Sequence, residues 1–356
     1  VAAFSPHRLA VLYPLEMYLQ RRSVVTLRVF RMDFVLVFVL FTFAPVLFSG
    51  GVWASDWYEA AKKEKQVVWY TSLNVSDNEK IVAAFVKKYP GVEVNVNRQS
   101  ANSVLQKVLT ERRAGKDIAD VVLVGAEYLD LLQNRGIFQK YNSSEWKAEK
   151  GDFWTATYMS VHSIAYNKNL LAADAAPRRY QDLLQERWRG KFAINLGNPT
   201  WIYSMLDFFG NEKGMDFLQK FAALNPHPYR GTTLLMQSVI AGDAAAGVAL
   251  NHDGVIAFIN KKAPVALASI QDPLYVDVHG IGILGNAQHP NGARLLVDFI
   301  VSKEGQTILA DLDKTTVRDD VPLKQAFDRK NFRIVGPEAR AKVEDYDKMM
   351  IKLFTK

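Results

Sequence analysis

The chain has 356 residues, 49% hydrophobic and 23% charged, with a formal net charge of +7 and no cysteine. That composition is globular, and the length allows about two domains. The lack of cysteine excludes disulfides, thiolate metal sites, a cysteine nucleophile and a lipid-anchored cysteine.

In chain order, the first feature is Phe34 to Phe48, "FVLVFVLFTFAPVLF", 15 residues without a charge. It is shorter than the roughly 20 residues a membrane-spanning helix needs and fits the apolar region of a signal peptide. Arg21, Arg22, Arg28 and Arg31 precede it, and "VWA" at 52–54 has the small-x-small form of a cleavage site. The reading predicts a segment 1–54 that is removed by cleavage near Ala54 on export to the periplasm. Its loss takes away five arginines and two acidic residues and leaves +4. No Lys/Arg cluster interleaved with aromatics stands out, so nucleic acid is not an expected partner.

The remainder alternates strand and helix, the pattern of an α/β fold with largely parallel sheets. "QVVWYTS" (66–72) reads as a strand, and Ser76 with Glu79 as a capping box opening a helix that Pro90 closes. "VEVNVN" (92–97) alternates as a second strand, then a helix runs from Asn102 to its stop at Gly115. "DVVLVG" (120–125) is a buried strand followed by a helix ended by Gly136, and "TATYMSVHSIAYN" (155–167) is a long strand leading away. A second α/β set follows: "KFAIN", a helix from about Thr200, "AAGVAL" and a helix from about Gly254. "YVDVHGIGIL" (275–284) is a second long strand, "PNGARLLVDFIVSKEGQTIL" (290–309) one long helix, and the remaining charged residues are helical. Two α/β units joined by two long strands are the layout of a two-lobed binding protein that closes by hinge motion.

Four stretches resemble the bacterial extracellular solute-binding proteins of ABC importers, in the branch that contains the ferric-iron periplasmic binding proteins. They are "VVWYTSLNVSDNEKIVAAFVKKYPGVEV" (67–94), "ADVVLVGAEYLDLLQNRGIF" (119–138), "YQDLLQERWRGKFAI" (180–194) and "HPNGARLLVDFIVSKEGQTIL" (289–309). The resemblance implies a type II periplasmic-binding fold, each lobe a mostly parallel sheet flanked by helices. Its lobes would be 55–157 plus 281–356, and 158–280. It also implies a monomeric receptor, not an enzyme, that passes a small-molecule solute to an inner-membrane permease and needs no cofactor. Ferric-binding members hold iron with a His, a Glu and two adjacent Tyr. Those places fall here on Asn74, Gly125, Asp253 and Gly254, so none of the four ligands is retained.

Ligands of open α/β sheets sit beyond the carboxyl ends of strands, where helix N-termini offer free N–H groups to anions. The candidate ligand-binding residues are therefore Thr71, Ser72 and Asn74; Gly125 and Ala126; Thr200; and Asn251, His252 and Asp253. Ser100 joins them as a hydroxyl at a helix start, and Tyr158, Trp201 and Tyr203 as apolar walls. Thr200 and Ser100 also suit simple helix caps, Trp201 and Tyr203 suit the core, and His162 and His279 suit hinge packing. His252 and Asp253 are donors for Zn(II) or Mn(II), but the other strand ends offer hydroxyls and amides. That mix favours a phosphonate, phosphate ester, carboxylate or zwitterion, with Asp253 receiving an amine or hydroxyl. The alternatives are a receptor for ferric iron or another metal, and an exported enzyme using His252 and Asp253. "GIGILG" (280–285) matches a dinucleotide fingerprint, but its glycines lie inside an alternating strand and not at a strand-to-helix turn.

Overall fold

A computed structural model describes residues 54–145, 152–322, 324 and 331–355. Residues 1–53 lie outside it, so the apolar run and its arginines carry no structural finding.

The first α/β unit comprises α1 (Ala54–Glu64), β1 (Gln66–Thr71), α2 (Val75–Lys88), β2 (Glu93–Arg98), α3 (Ala101–Arg113), β3 (Val121–Gly125) and α4 (Ala126–Asn134). Strand β4 (Trp154–Asn167) leads to a second unit. This comprises β5 (Phe192–Asn195), α5 (Thr200–Phe209), α6 (Asn211–Ala223), β6 (His227–Tyr229), α7 (Thr232–Ala241), β7 (Ala246–Asn251), α8 (His252–Asn260) and β8 (Val265–Leu267). Strand β9 (Leu274–Ile283) returns, followed by α9 (Pro290–Val301), α10 (Lys303–Asp311), β10 (Thr315–Thr316), β11 (Phe332–Ile334), α11 (Pro337–Arg340) and α12 (Val343–Phe354).

The strand order is β2-β1-β3-β9-β4-β7-β5-β6. Strand β1 is parallel to β2 and β3, and β5 is parallel to β6 and β7. Between these parallel sets run β9 and β4, antiparallel to each other and to their outer neighbours. β4 spends Trp154–Val161 against β9 and His162–Asn167 against β7 and β8, so one strand serves both sheets. These are the two lobes and the two strands that join them. Each has its own apolar core: Trp69, Phe85, Leu123 and Phe299 in one, Trp188, Phe192, Trp201 and Phe221 in the other.

Three local expectations change. Helix α2 starts at Val75 behind Asn74, without the Ser76–Glu79 box, and Asp77 lies in its first turn, where negative charge suits the helix dipole. The helix expected over 290–309 is two helices. Ser302 donates to Phe299 O (2.7 Å), ending α9, and accepts from Gly305 N (3.2 Å), capping α10. A Cβ at Gly305 would collide with Phe299 O, so this corner requires glycine. Finally, the C-terminal helix was expected with the first lobe. It buries Tyr346, Met350 and Phe354 in the second lobe's core instead, because its apolar stripe covers α5 and α6.

The glycines of "GIGILG" have a packing role. A Cβ at Gly280 would lie 2.5 Å from the Trp154 ring and 2.9 Å from Thr155 O, and one at Gly282 would lie 3.0 Å from the Phe138 ring. Close packing within β9 accounts for these two glycines of the motif.

Candidate functional site

Side chains two residues apart on a strand share a face. On β4 this places Tyr158, Ser160 and His162 together, and on β9 it places Asp277 and His279 together. The register sets His279 opposite Tyr158, Asp277 opposite Ser160, and His162 opposite Asn251 at the end of β7; Gly125, at the end of β3, faces His279 from the other side. Polar residues from both lobes thus meet on the joining strands.

A β-bulge helps bring Asn251 there. Between Ser163–Leu250 and Ala165–Gly247, β4 advances two residues while β7 advances three. Ala249 absorbs the extra residue at φ 60°, a left-handed conformation that costs a non-glycine residue about 1–2 kcal/mol. Its carbonyl accepts from Asn195 Nδ2 (3.2 Å) and Asn198 Nδ2 (3.4 Å), which hold the turn.

At the centre is Lys314, in the turn between α10 and β10, with its side chain 2% exposed. Its ammonium reaches Asp77 Oδ2 (2.9 Å) at the start of α2 and pairs closely with Asp253 Oδ2 at the start of α8. It also lies 5.5 Å from the Tyr158 ring centre. Asp253 Oδ1 accepts from Ser160 Oγ (3.0 Å). Burial alone would push the Asp253 carboxyl up, but Lys314 brings it below its ordinary value; the two carboxylates in turn raise Lys314 against the effect of burial. Asp253 and Lys314 therefore remain charged at neutral pH.

Beside this triad, Asp277 Oδ2 takes His162 Nε2 (2.6 Å) and Thr200 Oγ1 (3.0 Å). His162 Nδ1 contacts Ser204 Oγ at 3.1 Å. Burial pushes Asp277 up, and His162, together with His279 and the Thr200 hydroxyl, brings it below its ordinary value. His279 stacks on Tyr158, ring centres 4.4 Å apart and 7° from parallel, and burial pushes its imidazole down to about 4. Burial and then Asp277 push Glu127 up to about 8, so its carboxyl is largely protonated at pH 7. The Glu127 carboxyl covers Gly125, where a Cβ would collide with it.

Of the sequence-derived candidates, Tyr158, Thr200 and Asp253 have side chains within this network. Asn251 joins its edge by accepting from Asn198 Nδ2 (3.3 Å), His252 is buried at the start of α8, and Gly125 lies under Glu127. Thr71 is buried and its hydroxyl accepts from Leu73 N (3.1 Å); Ser72 and Asn74 lead into α2. Ala126 is in an apolar cluster with Ala156 and Val278. Ser100 caps α3 at an exposed position. Trp201 is core, 2% exposed and packed on Phe221 and Phe354, while Tyr203 packs on Tyr275 and Tyr346. Sequence reasoning did not single out Asp77, Glu127, Asp277 or Lys314. Alternation in "YVDVHG" was a signal for Asp277 beside His279. Lys314 had none, because its place depends on β10 pairing back onto β4.

Among the described residues, no group of three or more His, Asp or Glu side chains is arranged to hold a metal ion. Lys314 occupies the space between the facing Asp77 and Asp253 carboxylates. A groove of about 440 Å³, lined by Leu105, Leu109, Arg112, Arg135, Ile137 and Glu344, contains none of the polar network.

Residues 116–340 match the family model described as bacterial extracellular solute-binding protein. The chain is 22% identical to "Iron uptake protein A1" of a Synechocystis strain over 272 residues, covering 70% of this chain and 74% of that one. It is 23% identical to the "Putative 2-aminoethylphosphonate-binding periplasmic protein" of Salmonella typhimurium, covering 66% and 72%. Its fold matches the periplasmic binding protein AfuA from Actinobacillus pleuropneumoniae, solved with fructose-6-phosphate bound, at a TM-score of 0.70. That match has 20% identity and covers 81% of this chain and 96% of AfuA.

Proposed function

The chain belongs to the bacterial extracellular solute-binding proteins, and from that premise we propose that it is the periplasmic binding component of an ABC importer. It captures a small anionic or zwitterionic solute between its lobes and releases it to an inner-membrane permease. It acts as a monomer, by binding and not by catalysis, after removal of residues 1–54. The first lobe comprises 55–157 and the segment from 281 through β10; the second comprises 158–280, with β11 paired to it and α12 packed upon it. Relatives named for 2-aminoethylphosphonate and for iron, and a structural neighbour solved with a sugar phosphate, support a small charged cargo.

Lys314 carries the reading. A buried ammonium tied to the first turns of helices from both lobes marks where an anion would be held. A solute phosphonate or carboxylate entering there would take N–H donors from Lys314 in place of Asp253, and would find the N-termini of α2 and α8 beside it. Asp253 and the anionic group of the solute would thus compete for the Lys314 ammonium.

Native mass spectrometry of protein recovered from a periplasm, compared with its denatured mass, tests the proposal. An excess that is lost on denaturation and consists of an organic anion or zwitterion is expected. An excess made up of iron alone would overturn the reading in favour of a metal receptor.

A further inference from the structure

Two acceptor-capable atoms at the site have no partner. Asp277 is 8% exposed, and while its Oδ2 holds His162 and Thr200, its Oδ1 is solvent-excluded and receives no hydrogen bond. His279, next on the same face of β9, likewise has a solvent-excluded Nδ1 without a partner. A buried carboxylate oxygen only accepts, so Asp277 demands a donor, and leaving that demand unmet is costly. The stacked, neutral His279 can accept as well, from two residues along the same face of β9.

The surrounding charges define the donor. Asp77 and Asp253 share the Lys314 ammonium, and Asp277 pairs with the His162 imidazole at 2.6 Å. Glu127, nearby, is largely neutral at pH 7 and contributes little. Three carboxylates therefore face two basic side chains, Lys314 and His162, and a purely anionic solute would meet more acidic than basic groups beside Asp277. A hydroxyl could donate one hydrogen bond but would leave the charge unbalanced. An ammonium donates up to three and balances it.

We infer that the solute carries a protonated amine as well as an anionic group, and that Asp277 and His279 receive the amine while Lys314 receives the anion. The inference rests on the proposed function and narrows its cargo to zwitterions. Asp277 and His279 thus distinguish an amino-phosphonate or amino-carboxylate from its counterpart without the amine.

Isothermal titration of the full chain, expressed with its own N-terminal segment and recovered from a periplasm, tests it with paired probes. The pairs are 2-aminoethylphosphonate with ethylphosphonate, and β-alanine with propionate; fructose 6-phosphate serves as an anion bearing hydroxyls and no amine. In at least one pair the amine should bind about 10- to 100-fold tighter. Asp277→Asn should shrink that ratio below about tenfold, and His279→Gln should reduce it by a smaller factor. Unchanged melting temperatures would show that both variants are folded. Equal binding within every pair, lack of binding by all four probes, or an unchanged ratio in folded Asp277→Asn would overturn the inference. If fructose 6-phosphate or an amine-free probe still bound, the proposed function would survive; if the protein bound iron alone, both would fall.

Discussion

Lys314→Met would leave the carboxylates of Asp77 and Asp253 facing one another in a solvent-excluded site. Removing one member of a buried charge cluster costs about 3–5 kcal/mol, and urea unfolding at pH 7 should register a loss of that order. The pH dependence follows from Asp253, whose pKa is depressed in the folded protein. Its stabilisation is present above the unfolded carboxyl value of about 4 and is lost as pH falls through the lower folded value. The deficit of Lys314→Met should therefore shrink toward pH 3. Glu127 has the opposite sign. Its carboxyl is raised to about 8, so between pH 4.5 and 8 the folded state retains a proton that the unfolded state has lost, and stability falls as pH rises. Glu127→Gln should stabilise the protein by about 2–3 kcal/mol at pH 7 and by almost nothing at pH 4. Equal gains at both pH values would mean that the Glu127 carboxyl is not held neutral. At this scale the sequence revealed residues adjacent to a strand end, such as Asp253, and missed those brought in from elsewhere. Lys314 and Asp77 are 237 positions apart, and only tertiary pairing unites them with Asp253.

Strand β7 illustrates what pattern alone does and does not determine at the scale of elements. "AAGVAL" reads correctly as a strand because its apolar residues suit a sheet buried on both faces. The bulge within it leaves no mark in the pattern, since Ala249 is neither glycine nor asparagine, the usual signs of a left-handed residue. The same limit explains Ser302: the apolar positions run on through "FIVSKEGQTIL" as if in one helix, while the break depends on a serine that bonds both ways. The short strands β10 and β11 were missed because two or three residues do not establish a period. The bulge makes a prediction that contradicts strand propensity. Ala249→Val places a β-branched residue at φ 60° in a buried position, which combines backbone strain with overpacking and should cost at least about 2 kcal/mol. It should also disturb Asn251 and weaken solute binding. Thermal unfolding together with titration would check both effects, and a fully stable Ala249→Val would show that the bulge is not required.

At the scale of the whole molecule, the layout was legible because two long strands separated two α/β sets, and β4 and β9 do join the lobes. What holds the lobes in this arrangement was not legible, because it is a set of contacts between distant segments. Lys314 sits beside β10, which pairs with Tyr158 and Met159 where β4 passes between the lobes, and it reaches Asp77 of the first lobe, whereas Asp253 begins α8 in the second. The C-terminal segment adds two more links. Arg340 reaches Asp130 of α4 at 2.7 Å, and Glu344 at the start of α12 lies 3.7 Å from Arg135. Hinge opening would separate Lys314 from Asp253 but leave it paired with Asp77 within one lobe. Asp253→Asn retains the size of the side chain and its contact with Ser160 while removing the charge that crosses between lobes. Each 1.4 kcal/mol withdrawn from the closed form shifts the closed-to-open ratio about tenfold, so the variant without solute should have a larger radius of gyration in small-angle X-ray scattering than the parent. Arg135→Ala removes a half-exposed link of little strength and should leave the radius unchanged. If Asp253→Asn and the parent scattered identically, closure would rest on the joining strands and the C-terminal segment, and Lys314 would be a feature of one lobe, independent of hinge motion.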